Sequence, residues 1–373
     1  MDRAKQHFVQ DALEAYAVAK LTKLAEQDNM AINNDTDEKY QIFYDYCEER
    51  DIDTRNDHKV YGKMYKDHLP VFWNNLKTTF PNCKFDFIDV EKDFRNIKKK
   101  GDFVVRIEGE TNRDISFSLK AYKGGISRIQ VCSGTFNSFI TNFLFNPAGV
   151  GMYLTESGTR FKGSNVEQRD NEIINIGKES MLEQLHQIDK INPKVKEYFV
   201  YGDKAENFLD VEQDWEDWSR EYGYMGIDLT IDILNNNFTN QEVKDRIVKM
   251  IGFDGEEELL LLDKKRVVDS ITNEKLYNII HKIREQNTEI KFYRHRKSIR
   301  FDFVNNDEVL LSVEVPFTLQ KNGGWFLPKD KKGAFYKKEN MFLEYGQRRP
   351  KKSKEINTSI NTYVNLGGSG IFR

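Results

Sequence analysis

The chain has 373 residues, of which 39% are hydrophobic and 31% charged, with 26 Phe, 17 Tyr and only 7 Pro. That balance excludes a long disordered chain and suits two or three folded domains. The net charge of −3 says nothing in itself about nucleic acid, but its distribution does: residues 291–373 carry 17 Lys and Arg against 8 Asp and Glu.

Residues 3–27 are expected to form a helix, because Phe8, Ala12, Ala15, Tyr16, Ala19 and Leu24 recur at three- and four-residue spacing. Its alanines make one face thin enough for close packing. A second helix is expected over 37–49 and a third over 60–79, with Pro70 interrupting it and starting a new helix. After Pro81 the period changes to two. The runs 84–90, 102–108, 114–122 and 127–133 read as strands, and GETNRD joins the middle pair as a hairpin turn. Ser133 or Thr135 is placed to cap a following helix with Phe136, Phe139, Ile140 and Phe143 on its buried side.

Residues 150–170 read as loop and 171–289 as a mostly helical, acidic region. From about 290 strands return, and the end of the chain is basic, polar and glycine-rich. The expected organisation is therefore a core over 1–170, a helical middle over 171–289 and a basic, β-rich region over 290–373. The fold class is α/β or α+β, with a central mixed sheet flanked by helices.

Cys47, Cys83 and Cys132 form no CxxC pair and do not cluster with the six histidines. Free thiols in a reducing cytoplasm are expected, and no structural zinc site. No apolar run is long enough to span a bilayer, and the charged first residues do not read as a signal peptide. The motifs of P-loop proteins, serine hydrolases and zincins are missing; YKGG (122–125) and LGGSG (366–370) read as turns.

Chemistry concentrates in the hairpin. Asp102 opens one strand and Lys120 sits near the end of the next, and strands about 4.8 Å apart let the two side chains meet. Alternation puts Ser116, Ser118 and Lys120 on one face, with Phe117, Leu119 and Ala121 on the other. A buried lysine requires a carboxylate partner, so a structural ion pair is one account of this pairing and a catalytic pair is the other.

An Asp at the start of one strand, Ser118-Leu119-Lys120 in the next and a helix after it resemble the core of the PD-(D/E)xK nucleases. Type II restriction endonucleases are one large group of that superfamily. The resemblance extends over about residues 1–146 and implies a restriction-endonuclease-like core. It also implies an Asp102 that binds Mg²⁺ and a Lys120 that activates water or stabilises the phosphate. Ser118 stands where the second acid is usual; some members carry Ser, Asn or Gln there, and some draw a carboxylate from a helix. Glu14, on the alanine-rich first helix, is the acid chosen for that part, with Glu108 and Glu110 as rivals.

Two basic segments are read as DNA-contacting. KFYRHRKSIRF interleaves aromatics with Arg294, Arg296 and Lys297. GQRRPKKSKEINTSINTY brings Arg348, Arg349, Lys351 and Lys352 beside Asn357 and Asn361. Arg and Lys neutralise phosphates, and Arg and Asn read base edges. A solvated edge strand is the plainer account of the same charges. The expected activity is Mg²⁺-dependent, site-specific cleavage of double-stranded DNA by a cytoplasmic, dimeric type II restriction endonuclease. The alternative is a nucleic-acid-binding protein on a degenerate nuclease fold.

Overall fold

The computed structural model describes residues 3–53, 61–90, 101–122, 125–135, 194, 197, 201, 212–320 and 357–367. It is an α+β protein. The chain gathers into two units, each drawn from separated stretches: 1–129 with 252–281 and 366–373, and 130–251 with 282–365.

In the first unit, α1 (Arg3–Gln27), α2 (Thr36–Glu49) and α3 (Tyr61–Thr79) precede β1 (Cys83–Asp89), β2 (Phe103–Gly109) and β3 (Arg113–Tyr122). Much later in the chain come β5 (Glu258–Asp263) and β6 (Val267–Asp269). The sheet order is β1-β2-β3-β5-β6. Every neighbouring pair is antiparallel except β3 and β5, which run parallel, so the sheet is mixed.

The stretch 252–281, expected within a helical region, thus supplies two strands of this sheet. Leu259, Leu260, Leu261 and Leu262 are all buried. Such an unbroken apolar run is what a strand covered on both faces needs, and it does not betray its period.

Phe85, Phe87, Phe103 and Phe117 are essentially fully buried, each such burial stabilising by about 1.5–3 kcal/mol. Phe72 of α3 packs edge-on to Phe117, and Trp73 edge-on to Phe85 and Phe87. This packing explains why α3 stays a single helix with Pro70 in its interior, against the expected break. Leu69, Phe72, Trp73 and Leu76 are all buried and offset the proline's cost of about 3 kcal/mol. Helix α1 buries Ala12, Leu13, Ala15, Ala17, Val18 and Ala19, so small side chains bring its backbone close to its neighbours.

The second unit holds α4 (Glu212–Asn237) and α5 (Asn240–Met250), the latter opened by a capping box between Thr239 and Glu242. Its sheet has the order β4-β10-β9-β8-β7, built from β4 (Arg128–Thr135), β7 (Glu289–His295), β8 (Ser298–Asn305), β9 (Glu308–Gln320) and β10 (Asn357–Asn365). The fourth strand expected from the sequence therefore lies in a different sheet from the hairpin. It runs through both proposed caps, Ser133 and Thr135; the helix expected after them, and the loop over 150–170, lie outside the described residues.

The β9–β10 ladder loses its pairs opposite Pro316, which has no N–H to give. Ile299, Phe301, Phe303, Val313 and Val315 form the buried face of this sheet. Helix α6 (Glu274–Lys282) follows β6 in the chain.

Candidate active site

The hairpin of β2 and β3 holds Asp102 by its backbone first. The Asp102 N–H donates to the Phe117 carbonyl at 2.7 Å, and its own carbonyl accepts from Val90 at 3.2 Å. Gly101 makes this approach possible: its φ is +106°, and a Cβ there would lie 2.8 Å from the Phe117 oxygen. The carboxylate then turns onto β3. Oδ2 accepts the Leu119 backbone N–H at 2.5 Å and the Lys120 ammonium at 3.3 Å. Among the described residues neither bond uses Oδ1.

Over Phe117–Lys120 the burial alternates as expected, with Phe117 and Leu119 buried and Ser118 and Lys120 half-buried; Ser116, expected on the open face, is instead buried between Ile115 and Phe117, and Ala121 is half-buried. Burial pushes the Lys120 pKa down. The negative charges of Asp102 and Glu14, with Tyr122 and the Asp102 hydrogen bond, outweigh that and hold it above the ordinary lysine value. Glu14 of α1, itself half-buried, therefore belongs to the electrostatic surroundings of the same ammonium. The two rivals lie at the other end of the hairpin. Glu108 is six residues along β2 from Asp102, about 20 Å by strand rise, and Glu110 accepts a hydrogen bond from Asn82.

A second Asp–Lys pair in the same unit shows what a purely structural one looks like. Lys39 reaches Asp86 at 2.8 Å and Asp35 at 2.9 Å, and the Lys39 and Asp86 side chains are only 4% and 1% exposed. Asp86 is also tied to Asn33. No solvent-borne molecule reaches such a closed pair. Lys120 and Asp102 keep 22% and 23% of their surface open, enough for water or a substrate oxygen to approach.

The register shows what sequence reasoning missed. Strand β5 runs beside β3 in the same direction, pairing Lys120 with Leu261 and Tyr122 with Asp263. The site thus sits at the carboxyl ends of the two parallel strands, where open α/β sheets commonly place ligands. Tyr122 follows Lys120 at the strand period and could have been found from alternation; Asp263 could not, because its strand pairing joins residues far apart in the chain.

Among the described residues no group of three or more His, Cys, Asp or Glu is arranged to hold a metal. The site offers two carboxylates, Asp102 and Glu14. Mg²⁺ usually keeps several waters and takes one or two protein carboxylates together with substrate phosphates. Asp102, with an oxygen that neither of its bonds uses, fits that demand, and Glu14 is tied to the same place through its charge on Lys120.

The residues expected to contact DNA are dispersed. Arg294 faces α4, pairing with Asp228 at 3.1 Å and lying 5.1 Å from the centre of the Tyr224 ring. Arg296 and Lys297 form the exposed tip between β7 and β8, with Arg296 at φ +56°. Asn357 and Asn361 lie on β10, while Arg348, Arg349, Lys351 and Lys352 lie outside the described residues.

No protein-family model, curated protein or solved structure matches the chain. No helix among the described residues is long and apolar enough to cross a membrane.

Proposed function

We propose that the protein is a Mg²⁺-dependent endonuclease that hydrolyses phosphodiester bonds in double-stranded DNA, with a PD-(D/E)xK-like site in which Ser118 replaces the second acid. The observation that carries this reading is the convergence of Asp102 and Lys120, at 3.3 Å, with the charge of Glu14 on the same partly open ammonium.

Asp102 and Glu14 are the residues that would hold Mg²⁺, which supplies a water of lowered pKa and relief of charge on the phosphate. Lys120 has its pKa held above the ordinary value, so at neutral pH it is a fixed cation. Its part is to stabilise negative charge on the phosphate oxygens in the transition state, and it is poorly suited to take a proton from water. Asp102, pinned by Phe117, Val90 and Leu119, fixes where that cation sits. Ser118 orients water or the substrate from the same side of β3.

In keeping with this reading the enzyme is cytoplasmic, site-specific in the manner of type II restriction enzymes, and dimeric, since one site per chain favours a pair of chains for cutting both strands. Ser118 also supports a second reading, a nucleic-acid-binding protein that has lost cleavage. Incubating the full chain with plasmid DNA and Mg²⁺ separates them. Discrete fragments, lost in Asp102→Asn and Lys120→Met, are expected. Binding without nicking establishes the second reading, and neither binding nor nicking discards both.

A further inference from the structure

Beside the Asp102–Lys120 cluster lies a basic turn that the nuclease reading does not use. Strands β5 and β6 are joined by Lys264, Lys265 and Arg266. The parallel register puts Asp263, the last residue of β5, opposite Tyr122, two residues beyond Lys120. Strand rise and spacing then place the Cα atoms of Lys120 and Asp263 roughly 8 Å apart, with the turn projecting from that same end.

Asp263 holds the turn in shape. Its Oδ1 accepts the backbone N–H groups of Lys265 and Arg266 at 2.8 and 3.0 Å, and its Oδ2 accepts Nε of Arg266 at 3.0 Å. Its N–H donates to the Arg266 carbonyl at 3.0 Å, and its carbonyl accepts from Nε2 of His68 on α3 at 2.7 Å. This carboxylate is 5% exposed and is fully spent on the turn and on Arg266. It leaves the two exposed lysines, Lys264 and Lys265, without an ion pair among the described residues. A turn stiffened by one buried acid and carrying two cations unpaired among the described residues is a preorganised anion contact.

We propose that Lys264 and Lys265 bind backbone phosphates of the nucleic acid flanking the one held at Asp102–Lys120. The inference rests on the nuclease reading for its ligand. The spacing suits that ligand, because successive phosphates on one strand advance by about 3.4 Å along the helix axis, so a contact one side chain away from the site meets a phosphate within a few nucleotides of the scissile one. The partner is a phosphodiester backbone recognised by charge, without base readout.

The test measures binding of the full chain to a labelled DNA duplex of arbitrary sequence over a range of salt, with Ca²⁺ replacing Mg²⁺. Each phosphate contact contributes about 0.9 to the log–log salt slope, so Lys264→Ala/Lys265→Ala is expected to make it shallower by about 1.8. Lys264→Arg/Lys265→Arg is expected to keep the wild-type slope, and all three proteins should melt at the same temperature because both side chains are exposed. An unchanged slope in the alanine variant overturns the proposal, as does a wild-type chain that binds no duplex. Cleavage of the same duplex in Mg²⁺ reads the nuclease assignment separately. Slope-dependent binding without cleavage keeps the turn and removes the nuclease; cleavage with an unchanged slope does the reverse.

Discussion

Asp102 and Lys120 meet through a single carboxylate oxygen, Oδ2, which also accepts the backbone N–H of Leu119. The strand that carries the lysine therefore also positions its acid. Removing the acid has two separable effects. Asp102→Ala leaves the buried Leu119 N–H without an acceptor, which costs about 1–3 kcal/mol. Asp102→Asn keeps an acceptor oxygen but loses the charge. Denaturant unfolding should show Asp102→Ala destabilised more than Asp102→Asn, which loses only the ion pair's contribution, while DNA cleavage is lost in both. Equal stability of the two variants would mean that the Leu119 bond contributes nothing.

Lys120 predicts an alkaline signature. Its folded pKa lies above the unfolded value of about 10.4. The stability it contributes is therefore fully present below that pH and is lost as pH rises through the folded value. Urea unfolding at rising pH should show the wild type losing more stability above about pH 10.4 than Lys120→Met does. Parallel curves would show that the ion pair does not discriminate folded from unfolded chain.

Glu14 and Ser118 should differ sharply. Glu14→Gln removes a carboxylate charge at nearly constant shape, and cleavage in Mg²⁺ should fall severely. Ser118→Ala removes one hydroxyl, worth on the order of 1 kcal/mol or less than about tenfold in rate. Single-turnover cleavage rates check the ordering. A dead Ser118→Ala with an active Glu14→Gln would remove α1 from the chemistry and put Ser118 at the centre of it.

In the second unit, Arg294 and Arg296 are expected to part company. Arg294 is turned to α4, where Asp228 and Tyr224 hold it. Arg294→Ala should leave duplex affinity unchanged and cost up to about 1 kcal/mol of stability, as exposed pairs do. Arg296 occupies a left-handed conformation at the exposed tip, so Arg296→Gly should fold at least as stably and bind DNA more weakly. Filter binding and thermal melting on both variants test the contrast; weaker binding by Arg294→Ala alone would reverse the assignment of faces.

The sequence by itself determined the local parts of this protein. The period-two runs of 84–90, 102–108 and 114–122, with the polar turn between the last two, are strands because alternation and turn chemistry act within a few residues. The meeting of Asp102 with Lys120 follows from the same hairpin, and the alanine pattern of α1 was sufficient for a helix built for close packing. Tertiary structure alone decided the rest. The leucine run of β5 has no period of its own and joins β3 across more than a hundred residues of chain, which brings Asp263 and the Lys264–Lys265 turn to the site. The exposed pairing of Arg294 with Asp228, the continuity of α3 through Pro70 and the placing of Glu14's charge near Lys120 likewise depend on which elements pack together. Packing partners are chosen by the summed burial of whole faces, and no window of sequence contains that sum.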